Sequence, residues 1–299
     1  MSTPGRNASP DPSREDELLA QTCCSRLGLG PPVNIVRLAG GRSGAPVVAA
    51  DVDGSRLVLK MTSQPERVTR AELEVRLLRS AGVIEGLAPE LVASAVGPGW
   101  VAIATRPCTP LGAAPQIDFR TWMAAATRLA EVHRCLPAID GLLPRPRSES
   151  FPGDGAGLAP WFTLGAGDDA LRGSQLLAEQ PALQLPQVLT HGDCHLDNIL
   201  HDPSGALVWI DWQEAHLGDG LGDLVFLWQR AEFDGARPPR AEMTRGYARA
   251  RQLDPGELQP LLDRVELQLL LHSWPPFLSY GTPTARDTMR RRLAALARR

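Results

Sequence analysis

The feature that most restricts the fold is an abrupt change of residue pattern at 106–117, RPCTPLGAAPQI, where three prolines and a glycine break both helical and strand periodicity. Before it, short Val-rich runs at 33–38, 46–51, 56–61, 91–95 and 100–105 are separated by glycine-rich turns and read as strands. One helical pattern precedes them, 15–27, and a second interrupts them, 66–80, with Leu73, Leu77 and Leu78 on one face. After the break, helical spacing dominates at 119–136, 170–180, 220–231, 238–252, 256–272 and 283–297. Between these lies one compact unit of short strands and loops, Val188–Ile210. An α+β protein follows, a small β-rich N-lobe and a larger helical C-lobe. The expected boundaries are a disordered Pro- and Ser-rich tail at 1–14, an N-lobe at 15–106, a hinge at 107–117 and a C-lobe at 118–299. The Pro/Gly-rich stretch 137–169 reads as a substrate-facing loop or partly disordered segment.

Composition narrows the function. The 299 residues carry a formal net charge of −3, which does not suit a dedicated nucleic-acid binder. No apolar run reaches the roughly 18 residues needed to span a bilayer, and the first fourteen residues hold no apolar core of a secretory signal. Five cysteines without a Cys-x-x-Cys pair fit a reducing, cytoplasmic setting better than a disulfide framework, and vicinal Cys23 and Cys24 read as packing residues of a helix face.

The densest polar cluster is His191-Gly-Asp-Cys-His-Leu-Asp-Asn198, which follows an apolar triplet. A second group, Asp211-Trp212 and then Asp219 and Asp223, follows the strand pattern 207–210. Carboxylates placed just after buried strands are costly unless a cation or hydrogen bonds meet them. The hard oxygens of Asp211 and the Asn198 amide suit Mg²⁺, which shares its sphere with substrate phosphates, and Asp193 then stands where it can orient a hydroxyl. In the first lobe, 38–52 is a glycine-rich turn between strands, where backbone N–H groups and Ser43 and Gly44 can cover phosphate oxygens. Lys60, on the next strand, is the only lysine among 31 basic residues. An ammonium is a compact point charge that sits between phosphate oxygens in a way that a planar guanidinium does not. Glu74, on the following helix, is its expected counter-charge, although Glu72 and Glu74 also fit a solvated helix face with Arg70 and Arg76 as partners.

This order of parts resembles the aminoglycoside phosphotransferase and choline kinase branch of the protein-kinase-like fold, over residues 30–235. The family carries H-G-D-x-x-x-x-N followed by I-D; this chain reads HGDCHLDN at 191–198 and Ile210-Asp211. The resemblance implies a bilobal fold with Asp193 as catalytic base or hydroxyl-orienting residue. It also implies Asn198 and Asp211 as magnesium ligands, and Lys60 on the α/β-phosphates under the control of Glu74. His191 and Asp223 become supports of the catalytic loop. Thr105 falls at the strand end that meets the nucleotide base. There Pro107 lacks the N–H of an expected donor, which leaves GTP open beside ATP. Without a G-x-x-x-x-G-K-[ST] motif, the chain is not a P-loop NTPase.

The expected reaction is Mg²⁺-dependent transfer of a nucleotide γ-phosphate to a hydroxyl of a small molecule, an antibiotic above all. A metabolic acceptor of choline, homoserine, thiamine or sugar-amine type is the alternative. The protein would act as a monomer or dimer. Two other classes compete. A zinc hydrolase would draw on His191, Cys194, His195 and Asp211, but H-E-x-x-H is missing. A binding-only relative would need an empty chemical position, and all are filled. His133 reads as a packed helix histidine with a polar partner. Glu214, Asp219, Glu232, Asp234 and Trp274 are candidate acceptor contacts, and Trp161, Phe162, Trp274 and Phe277 read either as the border of an acceptor pocket or as ordinary packing residues. Twelve Arg against six acidic residues over 236–299 weigh against a strongly polycationic acceptor.

Overall fold

The computed structural model describes residues 12–38, 46–80, 82–135, 142, 156–179 and 185–298. The chain divides into two units: one runs through Pro110 and is joined by Ile199–Glu214, and the other takes the main part of the chain from Leu111 onward. The glycine-rich segment with Ser43 and Gly44 and most of the proposed tail lie outside the described residues.

In the first unit, helix α1 (Arg14–Leu27) begins at a capping box in which Ser13 and Asp16 each accept the other's backbone N–H. Strands β1 (Val33–Arg37), β2 (Val47–Val52) and β3 (Ser55–Thr62) follow. The β2–β3 turn holds Asp53 and Gly54 at φ 50° and 77°. Two consecutive positive φ values define the tight hairpin turn that favours Asp-Gly. Helix α2 (Pro65–Arg79) starts at a proline, which needs no N–H partner there. Strands β4 (Leu91–Gly97), β5 (Trp100–Thr105) and β6 (Thr109–Pro110) complete the segment. Among the described residues, β1 to β5 form one antiparallel sheet in the order β1-β2-β3-β5-β4.

Alternation along the strands gives this sheet two distinct faces. Leu57, Leu59, Val48, Ala50, Ala102 and Ala104 pack on α1 through Leu19, Ala20, Cys23 and Cys24. Burial, with the neighbouring Cys24 thiol, pushes the Cys23 thiol up to about 12, so it packs as an inert apolar group. Val101 and Ile103 face the other way, against Val68, Ala71 and Val75 of α2. Lys60 is in register with Ile103 and so shares the α2 face.

The second unit opens with α3 (Phe119–Val132), capped by the Asp118 carboxylate. The expected helix to residue 136 stops short, with His133 as its C-terminal cap. Helices α4 (Ala159–Thr163) and α5 (Gly167–Glu179) occupy the latter part of the stretch expected as a loop. Pro160 sits in the first turn of α4, where it starts a helix and does not break one, and Leu158 and Trp161 are buried. Residues 143–155 of that stretch lie outside the described residues. Strand β7 (Val188–Thr190) leads into the polar loop, and the hairpin β8 (Ile199–His201) and β9 (Leu207–Trp209) follows it. The hairpin pairs with β6, and the Trp209 N–H donates to the Leu87 carbonyl at 2.8 Å. These bonds group 199–214 with the first unit, whereas a boundary at 118 assigned them to the second. A strand with no sequence signal, β10 (His216–Gly218), pairs antiparallel with β7.

The chain ends in α6 (Leu221–Phe233), α7 (Arg240–Arg251), α8 (Pro255–His272) and α9 (Pro283–Leu296). Their core gathers Trp161, Leu270, Leu271, Trp274, Met289 and Leu293. Each such side chain stabilises by about 1.5–3 kcal/mol on burial. Glu266, 1 % exposed, carries an ion pair into this region by accepting from Arg240 and Arg292. Among the described residues, no helix is long and apolar enough to cross a membrane.

Candidate active site

Two groups of polar side chains stand out, one in each unit. In the first, Lys60 Nζ donates to Glu74 Oε2 and to Asp211 Oδ1, each at 2.8 Å. The sheet register aims Lys60 at α2, and Glu74 lies on the buried side of that helix, 4 % exposed. Gln213 Nε2 also donates to Glu74 Oε2, at 3.2 Å, so the carboxylate meets both a strand and the segment after β9. Burial alone lowers the Lys60 ammonium; Glu74 and Asp211 outweigh it and hold the group above its ordinary value, so it stays charged. Asp211 adopts φ 62°. Left-handed backbone at a non-glycine residue costs of order 1 kcal/mol and gathers where function requires a side chain in one place.

In the second unit, the loop after β7 is tied down by Asp223 of α6. Its Oδ2 accepts the His191 N–H at 2.6 Å and its Oδ1 the Gly192 N–H at 2.9 Å. The buried His191 ring accepts the Asp193 N–H through Nδ1 at 3.3 Å. Asn198 Nδ2 donates to the Asp193 carbonyl at 2.9 Å and to Asp193 Oδ2 at 3.2 Å, and His195 Nε2 lies 3.5 Å from the same oxygen. Burial raises the Asp193 carboxyl, but His195, His191 and Asn198 together bring it below the usual range. Asp193 therefore stands as a carboxylate, 39 % exposed, on a loop whose backbone is fixed from beneath. Such a group accepts a hydrogen bond from a hydroxyl and sets its direction.

The sequence-predicted residues fall into clear places. Lys60, Glu74 and Asp211 come together in the first unit; His191, Asp193, Asn198 and Asp223 come together in the second. Thr105 ends β5, in register with Val58 and Leu91. The next N–H, from Arg106, is held by the Glu90 carbonyl at 2.9 Å, and Pro107 has none. Trp274 corrects the expectation of an acceptor contact: it is 2 % exposed, donates its indole N–H to Gln229 Oε1 at 2.8 Å and packs on Phe233. Trp161 is likewise core, while Phe162 and Phe277 are exposed. Glu214 pairs with Arg70, Glu232 with Arg240, and Asp234 with Arg230. Asp219 Oδ1 accepts the Leu221 N–H at the start of α6. Among the described residues, no three His, Cys, Asp or Glu side chains form a metal-binding group, and Cys194 is fully buried. Sequence reasoning passed over the partners of His133, which is 1 % exposed and meets both Asp223 and Tyr247.

A lysine held by a helix carboxylate, and a fixed loop bearing Asp and Asn, are the parts expected of a kinase-like phosphotransferase of small molecules. The sequence matches the phosphotransferase enzyme family over residues 34–261, well over half of the chain, and the chain belongs to that family. Solved structures agree on the fold. A thermostable mutant of aminoglycoside phosphotransferase APH(4)-Ia with ADP and hygromycin B is 19% identical, with a TM-score of 0.60, covering 94% of this chain and 98% of that one. Spectinomycin phosphotransferase APH(9)-Ia with ADP and spectinomycin is 16% identical, with a TM-score of 0.63 and coverage of 97% and 98%. The macrolide 2'-phosphotransferase of Brachybacterium faecium is 21% identical, with a TM-score of 0.61 and coverage of 93% and 98%. A search of curated protein sequences finds no match.

Proposed function

We propose that this chain transfers the γ-phosphate of ATP or GTP to a hydroxyl of an antibiotic. The observation that carries the reading is the placement of the only lysine, 2.8 Å from both the helix carboxylate Glu74 and the post-strand carboxylate Asp211. A half-buried ammonium between two carboxylates is a fixed point charge, suited to hold the α/β-phosphates of a nucleotide. Asp193 accepts the hydroxyl hydrogen bond and aligns the acceptor oxygen. Phosphoryl transfer through a loose transition state gains more from this alignment than from early proton removal.

The donor set fits a magnesium ion. Asn198, whose Nδ2 donates to Asp193, carries an amide oxygen, and Asp211 carries a carboxylate on a backbone held at φ 62°. An amide oxygen and a carboxylate are hard ligands that leave positions for water and phosphate oxygens. When bound, Mg²⁺ supplies charge neutralisation to the phosphates. The antibiotic acceptor is favoured because the similar structures include kinases bound to hygromycin B, spectinomycin and amicoumacin. The N–H pattern at Thr105–Pro107 supports relaxed recognition of the base, hence ATP or GTP.

The test is a screen of full-length protein with ATP and GTP against antibiotics and hydroxylated metabolites, read as acceptor mass gain. A phosphorylated antibiotic is expected. Phosphorylation confined to choline, homoserine, thiamine or an amino sugar would move the protein to metabolism.

A further inference from the structure

Beneath the catalytic loop lies a run of hydrogen bonds that the reaction chemistry does not itself require. Asp223, 2 % exposed, accepts the His191 and Gly192 N–H groups and also faces His133 Nε2 at 3.1 Å. The other ring nitrogen, His133 Nδ1, lies 2.6 Å from the Tyr247 hydroxyl, and the Tyr247 oxygen accepts from Arg251 Nη1 at 2.7 Å. Tyr247 is wholly buried, and its ring meets the imidazole edge-on at 5.6 Å. The run crosses three helices, from α7 through the cap of α3 to α6, and ends on the loop that carries Asp193.

Its protons have one consistent assignment. A carboxylate only accepts, so His133 carries hydrogen on Nε2 and donates to Asp223. Nδ1 is then an acceptor, and Tyr247 must give it the O–H. The guanidinium only donates, which leaves the phenol oxygen as its acceptor. From Arg251 to Asp223 each donor points toward the loop, and the His191 and Gly192 N–H groups donate onto the same carboxylate from the other side. Burial, outweighing Asp223, keeps the imidazole below its usual range and therefore neutral, while burial pushes the Tyr247 phenol up, so it keeps its proton. Gly220 reserves the space: it has φ 79°, and a Cβ there would stand 2.6 Å from His133 Nδ1.

We propose that Tyr247 and Arg251 of α7 are positioning residues for the phosphotransfer loop, fixing the His133 tautomer that lets Asp223 grip the His191 and Gly192 amides. Without the Tyr247 hydroxyl, Nδ1 is a buried acceptor with no donor, and the ring is free to exchange tautomers or turn. In the other tautomer, Nε2 has no hydrogen for Asp223, and the two lone pairs face each other. The grip on the loop loosens, and Asp193 loses alignment with it.

This inference rests on the phosphotransferase reading, and the test separates the two. In full-length Tyr247→Phe, amide exchange of the 188–193 segment is compared with wild type, together with kcat, KM and thermal midpoint. Exchange in that segment should quicken, and kcat should fall roughly tenfold with both KM values nearly unchanged. His133→Leu removes both ring nitrogens, and with them the acceptor for Tyr247 and the donor toward Asp223. In that background Tyr247→Phe should change neither kcat nor loop exchange, and Arg251→Met in the wild-type background should act as a milder Tyr247→Phe. Faster loop exchange in a protein that phosphorylates nothing on the screen would support the positioning role and reject the reaction. An active Tyr247→Phe with wild-type kcat and loop protection overturns the positioning role, whatever its thermal midpoint. So does an equal effect of Tyr247→Phe in both backgrounds.

Discussion

The ammonium of Lys60 and the carboxylate of Asp211 lie 2.8 Å apart although 151 positions separate them in the chain. The contact unites strand β3 with the segment after β9, and it adds to the backbone bonds that group residues 199–214 with the first unit. It also sets the first prediction. Lys60→Arg keeps the charge but replaces a point donor with a planar fork that cannot meet Glu74 and Asp211 from the same atom. A loss of about a hundredfold in kcat/KM is expected, with the fold retained by circular dichroism. A rate within a few-fold of wild type would remove the argument for the lone lysine.

Chelation is the second prediction. Asn198 and Asp211 offer oxygen ligands only, so activity should vanish with EDTA and return with Mg²⁺, while Zn²⁺ does not restore it. Asp211→Asn keeps a residue tolerant of the left-handed backbone and removes the ligand charge. It should raise the magnesium requirement for turnover, measured by titrating the metal at fixed nucleotide.

A third prediction concerns pH and stability. Burial brings the His272 imidazole down from 6.5 to about 4. Below pH 6.5 the unfolded chain binds a proton that the folded chain refuses, so the stability present above 6.5 is lost progressively as pH falls toward 4. His133, also lowered by burial despite Asp223, acts in the same direction. The thermal midpoint should drop between pH 7 and 5, before ordinary carboxylates titrate, and His272→Gln should flatten the slope. A midpoint indifferent to pH over that range would contradict the assignment.

Glu266 supplies the fourth. It is 1 % exposed and accepts from Arg240 and Arg292, tying α8 to α7 and α9 away from the loop. Glu266→Gln leaves two guanidinium groups facing a neutral amide. It should cost about 3 kcal/mol in denaturant unfolding. The kcat of the folded protein should stay near wild type.

Much of this was legible in the sequence because its signals are local or chemically unusual. Asp53-Gly54 marks a hairpin on its own, Lys60 is singular, and HGDCHLDN concentrates costly polar groups after an apolar strand. Glu74 was separable from Glu72 only in part; burial on α2 decides it. What the sequence hid depends on distant partners. The three-residue β10 is too short to show alternation, and Pro160 reads as a breaker until Trp161 is seen packed in the core. Trp274 looks the same whether it lines a pocket or fills a core. His133 and Tyr247 are 114 residues apart, and nothing local to either announces the other.

The most direct test of the account compares wild type with Asp193→Ala in one preparation, measuring nucleotide affinity by calorimetry and phosphoryl transfer to the best acceptor by mass. The account predicts closely similar nucleotide binding and a fall in transfer of about a thousandfold. Transfer by Asp193→Ala at near wild-type rate, with nucleotide bound normally, would show that the loop carboxylate does not align the acceptor.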